Sequence, residues 1–130
     1  MSIWAYHLSP KGVFRRFDEL VVIDTEYIAD PGERPIPVCA VAHELKSGRK
    51  HRLWVYKEKI HQPPWPQDEK TLVVVWYGLA EFGFYLSMGW RFPVWVLDLH
   101  AEYSWFINGR KMRNENHGKS LLLSNMSPLR

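Results

Sequence analysis

The sequence lacks the features that mark several common classes of protein. Its 130 residues include a single cysteine, Cys39, which excludes an internal disulfide and a cysteine zinc cage. Since Cys39 lies in an apolar run, we expect a small buried hydrophobe rather than a reactive thiol. The longest apolar stretch, residues 71–79, is far short of the ~18 residues that span a bilayer, and residues 1–10 lack the charged and apolar regions of a signal peptide. We therefore expect a soluble cytoplasmic protein.

Several catalytic motifs are also missing. None of the six histidines is followed by another four residues later, and no Gly-x-Ser-x-Gly sequence occurs. Gly118-Lys119-Ser120 is similar to the end of a phosphate-binding loop, but Arg113 occupies the position of the first glycine of that motif. These absences argue against zinc enzymes, serine hydrolases and P-loop nucleotide binding.

The composition is that of one folded domain with a basic surface. Hydrophobic residues make up 46% of the chain and aromatic residues 15%, and the formal net charge is +3. Basic residues form three clusters, at residues 15–16, 46–52 and 110–113. These clusters favour a polyanionic partner, and we expect Arg49, Lys50 and Arg52 to bind nucleic acid, with an ordinary solvated loop as the alternative. The seven tryptophans are expected in the core rather than stacked on bases.

Hydrophobic patterning predicts a mixed α/β fold. Strands at residues 20–27, 36–45 and 50–56, separated by turn residues, predict an antiparallel meander. A strand at 71–77, a helix at 78–90 and a strand at 94–97 predict a right-handed parallel crossover. We therefore expect one mixed sheet with helices packed on it.

The predicted elements divide the chain into three parts. A domain at residues 20–109 is preceded by an arm at 1–19 and followed by a polar basic tail at 110–130. Within the domain, Trp65 lies in an irregular proline-rich connector and is expected to pack on the domain.

Two carboxylates, Asp24 and Glu26, stand near the end of the first predicted strand. Because side chains alternate along a strand, both point the same way, roughly 7 Å apart. Residues 20–23 are all apolar, which predicts a central strand. Acids buried beside such a strand need a compensating cation such as Mg²⁺ or Mn²⁺. The composition alone predicts about one-third of such a pair by chance, so ordinary surface acids are the alternative.

Three segments of the chain resemble one family of nucleases. They are Val-Val-Ile-Asp-Thr-Glu-Tyr (21–27), Ala-Glu-Phe-Gly-Phe-Tyr-Leu-Ser-Met-Gly-Trp (80–90) and Val-Leu-Asp-Leu-His-Ala-Glu-Tyr (96–103). Together they are similar to the 3′-5′ exonuclease region of family A DNA polymerases, in the DEDD superfamily, over residues 20–109. The resemblance implies a ribonuclease H-like fold. It also implies proofreading hydrolysis of phosphodiester bonds at the 3′ end of single-stranded DNA or RNA.

The resemblance also implies a set of metal ligands. Asp24 and Glu26 match the first motif of the family, whose aspartate bridges two metal ions and whose glutamate binds one of them. Glu81 matches the acid of the second motif, which is usually an aspartate. These three residues are the expected catalytic ligands of Mg²⁺ or Mn²⁺, and Asp98 is expected to support them. In the alternative, Glu81 is an exposed acid favoured by the start of a helix.

The third motif of the superfamily supplies a fourth acid together with a tyrosine or histidine that orients the attacking water. Neither Tyr-x-x-x-Asp nor His-x-x-x-x-Asp occurs in the 130 residues. We therefore expect the amino-terminal portion of an exonuclease domain, weakly active or inactive alone, with a polymerase or another chain as the candidate partner.

Two further interpretations stay open. One is a catalytically silent nucleic-acid-binding module that keeps the exonuclease-like fold and the basic loops. The other is an α/β interaction domain in which Asp24 and Glu26 contact only solvent and neighbouring basic side chains. Metal binding and salt-sensitive DNA binding distinguish the three interpretations.

Overall fold

Five strands and three helices form the part of the chain that the computed structural model describes, residues 2–108. The strands are β1 (Glu19–Ile28), β2 (Ile36–Glu44), β3 (Lys50–Trp54), β4 (Thr71–Val75) and β5 (Trp95–Asp98). The helices are α1 (Ile3–Leu8), α2 (Gly78–Met88) and α3 (Leu99–Ile107). None of these described helices is long and apolar enough to cross a membrane.

The chain divides into two compact units, residues 1–100 and 101–130. The first unit contains α1, α2 and the whole sheet. Of the second, the structure describes most of α3 and Asn108. The predicted tail and its basic cluster at 110–113 lie outside the described residues.

The strands form one sheet in the order β3-β2-β1-β4-β5. β1, β2 and β3 pair antiparallel, whereas β4 pairs parallel to β1 and β5 parallel to β4. Because α2 connects β4 to β5, these three elements form a βαβ unit. The prediction of a mixed α/β sheet is confirmed.

One face of the sheet packs against α2. Alternate residues of β1 and β4, Val21, Ile23, Val73 and Val75, point to this face and are buried. They form the main core with side chains from α2, the neighbouring strands and two connectors, namely Ala40, Ala42, Val55, Trp65, Phe84, Tyr85 and Trp90. β4 lies between β1 and β5, and all five of its residues are buried.

The opposite face is covered near the start of β1 by the residues that precede this strand. Phe17 joins Leu20, Leu72 and Val74 in a second buried cluster, with partly buried hydrophobic side chains around it. The predicted arm at 1–19 therefore includes α1 and part of the core. The helix α1 has only six residues, so hydrophobic periodicity in the sequence could not predict it.

An aromatic cluster lies beyond the end of α2. Gly89 ends the helix with a positive φ of 69°, a conformation that costs glycine little. Trp90 then packs edge-on against Trp65 and Tyr85. The indole N–H of Trp65 donates a hydrogen bond to the Tyr85 hydroxyl at 3.1 Å. Trp65 is buried, which confirms the prediction that it packs on the domain.

Other tryptophans lie at the surface. Trp54 is 61% exposed, Trp76 48%, Trp95 40% and Trp105 77%, so the prediction of a core position is wrong for these four. Strand periodicity shows which residues share a face of the sheet, but it does not show whether that face is covered.

A buried carboxylate, Glu44, fixes the turn between β2 and β3. Its oxygens accept hydrogen bonds from the backbone N–H groups of Leu20 at 3.1 Å, Lys46 at 3.0 Å and Ser47 at 2.5 Å. Burial by itself raises the pKa of Glu44. The hydrogen bonds from the Ser47 side chain and from these N–H groups outweigh burial and lower the pKa to about 2. The ionised carboxylate therefore joins the turn to the start of β1.

Replacing Glu44 by glutamine is expected to destabilise the fold by about 1–3 kcal/mol at neutral pH, because a backbone N–H loses its acceptor. The folded pKa near 2 lies below the ordinary value of 4.5. The wild-type carboxylate therefore stabilises the fold above pH 4.5 and loses that contribution as the pH falls toward 2. Urea unfolding at neutral and acid pH measures both effects. An equal loss in the exposed control, Glu58→Gln, would contradict this role of Glu44.

Candidate metal centre

The predicted acids share one edge of the sheet. β1, β4 and β5 run parallel, so their carboxyl ends meet there. Asp24 and Glu26 lie in the second half of β1, and Asp98 is the last residue of β5. Glu81 lies in the first turn of α2, which begins shortly after β4. The carboxyl edge of parallel strands is where ligands bind in open α/β sheets.

Asp24 and Glu26 point to the same face of the sheet, as their spacing predicts. Asp24 pairs with Val41 and Glu26 with Cys39 of β2, and the register shifts directly after Glu26. Such irregularities bend a strand and re-aim its side chains. Both acids are exposed. The sequence led us to expect that burial of these two acids costs free energy. Because both are exposed, that free-energy cost applies to a different residue.

That residue is Glu81. Its side chain is 5% exposed, and its buried Oε2 atom has no hydrogen-bond partner among residues 2–108. The alternative of an exposed helix acid is therefore wrong. Because an unsatisfied buried polar atom costs about 1–3 kcal/mol, and an ionised one more, we expect this oxygen to bind a proton, a water molecule or a cation.

The electrostatic environment of Glu81 opposes its ionisation. Burial raises the pKa of Glu81 most, and the neighbouring carboxylates of Asp24 and Asp98 raise it further. Hydrogen bonds with backbone groups at Glu81 and Tyr77 oppose this shift, and the resulting pKa is about 6. The structure thus brings Asp24, Glu81 and Asp98 within electrostatic reach of one another.

Asp98 holds the start of α2 in place. Its Oδ2 accepts a hydrogen bond from the Gly78 N–H at 2.9 Å, and its Oδ1 accepts one from the His100 N–H at 3.0 Å. A Cβ atom on Gly78 would lie 2.9 Å from Oδ2, so a larger residue at 78 would push the helix and the carboxylate apart. Asp98 therefore links the end of β5 to the helix that presents Glu81.

Cys39 lies closer to the acids than the sequence suggests. It is half-buried, pairs directly with Glu26, and shares the exposed face with both acids of β1. Burial, Glu26 and Asp24, in that order, raise the pKa of its thiol. The thiol therefore stays protonated at neutral pH, which makes it a poor metal ligand. The pairing of β1 with β2 places Cys39 beside the acids. The prediction of a buried hydrophobe did not take this pairing into account.

The three basic residues predicted to bind nucleic acid differ in their surroundings. Arg49 forms an ion pair with Glu19 at 2.6 Å. Lys50 and Arg52 are exposed on β3, and their side chains form no hydrogen bond or ion pair with the described residues. Two of the three side chains are therefore available to a ligand.

The donor chemistry of this edge fits a divalent cation. Carboxylate oxygens are the ligands that Mg²⁺ and Mn²⁺ prefer, and the Oε2 atom of Glu81 has no hydrogen-bond partner among residues 2–108. Within residues 2–108, the side chains do not already converge as a group of three metal ligands. Asp24 and Glu26 are exposed, so rotation about their side-chain bonds is open to them.

Comparisons with known proteins leave the family of this chain open. No model of a protein family matches the chain, and neither curated proteins nor solved structures give a match. Interpretation of the site therefore depends on the residues described above.

Replacing Glu81 by glutamine is expected to stabilise the metal-free fold by about 1–2 kcal/mol at neutral pH, because the variant carries no buried charge. The folded pKa near 6 lies above the ordinary 4.5, so the wild type loses stability as the pH rises through this interval. Urea unfolding in EDTA across that pH range should show this loss in the wild type and in the exposed control Glu33→Gln, and not in Glu81→Gln. Destabilisation of Glu81→Gln at neutral pH would show that the carboxylate already has a compensating partner.

Proposed function

We propose that this chain is a metal-dependent 3′-5′ exonuclease domain of the DNA polymerase proofreading type, with a ribonuclease H-like fold. Its substrate is the 3′ end of single-stranded nucleic acid, and its metal is Mg²⁺ or Mn²⁺. The ligands in this proposal are Asp24, Glu26 and Glu81, and Asp98 positions the helix that bears Glu81.

The observation that supports this proposal most strongly is the buried, unpartnered oxygen of Glu81 beside the carboxylates of Asp24 and Asp98. A structural acid in a core is expected to have hydrogen-bond donors around it, as Glu44 does. Glu81 also has hydrogen bonds with backbone groups at Glu81 and Tyr77, but its Oε2 atom has no partner among residues 2–108, and the carboxylates of Asp24 and Asp98 raise its pKa. Such an arrangement is stable when a cation shares the site.

The sheet supports the same proposal. An antiparallel meander, β1 to β3, followed by a βαβ unit is the arrangement that the resemblance to polymerase exonucleases implies. In that arrangement the first motif lies on β1 and the second at the start of α2, as Asp24 and Glu81 do here.

The chemistry at this edge is hydrolysis of a phosphodiester bond. Asp24, Glu26 and Glu81 would hold divalent ions at the sheet edge, and such ions would supply an activated water and stabilisation of the leaving oxygen. The Asp98 side chain keeps the first turn of α2 in position. The 130 residues contain no third motif. We therefore expect activity lower than that of a complete site by a factor on the order of 10³ or more.

The second candidate function is a catalytically silent nucleic-acid-binding module. The observation that favours it is the exposure of two basic side chains, Lys50 and Arg52, on a strand two positions from the acids, where neither forms an ion pair with a described residue. Such a module binds nucleic acid with a strong salt dependence and needs no metal.

Titration with Mn²⁺ should raise the melting temperature of the chain by a few degrees, because a ligand at about ten times its Kd stabilises the fold by about 1.4 kcal/mol. Asp24→Asn removes a ligand charge, and it should abolish the rise. Asp30→Asn, in the exposed turn after β1, is the matched control and should keep it. Equal stabilisation of all three proteins would show that Mn²⁺ binds elsewhere.

Incubation of the purified chain with single-stranded DNA and Mn²⁺ tests the hydrolysis itself. We expect slow release of mononucleotides from the 3′ end, and none from Asp24→Ala. Activity as fast as that of a complete exonuclease, abolished by Asp24→Ala, would show that three acids suffice and that our account of the third motif is wrong. DNA binding without Asp24-dependent hydrolysis would favour the silent module.

A further inference from the structure

The exposed face of β3 presents two basic side chains and one aromatic side chain. Its burial pattern alternates strictly, with Lys50, Arg52 and Trp54 exposed and His51 and Leu53 half-buried. Because alternate residues of a strand share a face, the three exposed side chains form one line along the edge of the sheet. We call these three residues the β3 row.

The pairing register aligns the β3 row with the acids. Arg52 pairs with Val41, which pairs with Asp24, and Trp54 pairs with Cys39, which pairs with Glu26. Directly paired residues point to the same face, so each acid and its counterpart on β3 share one surface. Strands lie about 4.8 Å apart, which separates Arg52 from Asp24 by about 10 Å across two strands.

Among the described residues, the side chains of the β3 row show no contact that would give them a structural role. The Trp54 ring is 61% exposed and makes no aromatic contact with another residue of 2–108, whereas Trp95 is covered by the Arg16 guanidinium at 4.3 Å. Arg52 and Lys50 lack the kind of ion pair that holds Arg49 against Glu19. A large exposed aromatic ring beside two unpaired cations is typical of a binding surface rather than a packing one.

The chemistry of the β3 row fits a single nucleic-acid strand. A tryptophan ring stacks on any base, and neighbouring basic side chains bind the phosphates. The basic side chains lie on β3 and the candidate metal ligands lie on β1. A bound nucleic-acid strand would therefore run across the sheet from β3 toward β1. The β3 row does not suit an apolar protein partner, because two of its three side chains are charged.

We propose that Trp54 and Arg52 bind the substrate strand on the 5′ side of the scissile bond, so that the strand crosses β2 and delivers its 3′ end to Asp24 and Glu26. Trp54 stacks on a base, Arg52 binds a phosphate, and Lys50 adds charge at the end of the row. The inference rests on the proposed function, from which it takes the single strand as the substrate.

Fluorescence anisotropy with a short labelled oligothymidylate in EDTA tests this without hydrolysis. Trp54→Leu should weaken binding about 5- to 100-fold and leave the salt slope unchanged, since it removes a stack and no charge. Trp54→Phe should restore most of the affinity. Arg52→Gln should weaken binding and reduce the slope of log K against log salt by about 0.7, the value for one phosphate contact with a single strand.

Two matched variants serve as controls. Trp95→Leu removes a tryptophan from the opposite edge strand, and Arg91→Gln removes an exposed arginine that follows α2 on the other face. Both should bind the strand as the wild type does. Unchanged binding in Trp54→Leu and Arg52→Gln, absence of binding in the wild type, or an equal loss in the controls would each overturn the inference. Trp54-dependent self-association in sedimentation experiments without strand binding would also overturn it and assign the face to protein contact.

The design separates this inference from the proposed hydrolysis. Strand binding that depends on Trp54 and Arg52, without Asp24-dependent stabilisation by Mn²⁺, supports the strand-binding surface and contradicts the metal site. Stabilisation by Mn²⁺ together with unchanged binding in both β3 variants supports the metal site and overturns the surface.

Discussion

The parallel pairing of β1 with β4 is the constraint on which the rest of the structure depends. It sets the end of β1 beside the start of α2, and α2 must pack Phe84 and Tyr85 on the face that Val21 and Val73 share. Gly78 and Glu81, in the first turn of the helix, are thereby buried near the carboxyl ends of the parallel strands. Asp98, on the next parallel strand, accepts a hydrogen bond from this turn. The clustering of acids is thus a consequence of sheet topology.

Much of the fold could be predicted from the sequence because its periods are strong. β1, β2, β4, α2 and β5 begin within a residue of their predicted starts, since turn residues bound the apolar runs. The same periodicity could not predict α1, because this helix has six residues, fewer than two turns. The sequence also indicates that Asp24 and Glu26 share a face, but not that Glu81 is the buried acid or that Trp54 is exposed. Those properties depend on which face the helices cover.

In our proposal, one face of the sheet provides stability and the other provides function. The face against α2 holds the main core and the aromatic cluster around Trp90. On the opposite face, the cluster around Phe17 covers the start of β1, whereas the second half of β1 and all of β3 present exposed side chains. Acidic side chains lie at the centre of that exposed surface, and basic side chains lie on the edge strand β3. In our account, this separation lets a polyanion approach carboxylates that would otherwise repel it.

Paramagnetic broadening by Mn²⁺ of the backbone amide signals, recorded by nuclear magnetic resonance, tests the central claim most directly, because it locates the bound ion among all the acids. Our account predicts that substoichiometric Mn²⁺ first broadens the signals of residues 24–26 and 78–81, and that Glu81→Gln weakens this effect. Broadening centred on other acids, such as Asp68 and Glu69, or equal broadening of every exposed acid, would contradict a metal site at the carboxyl edge of the sheet.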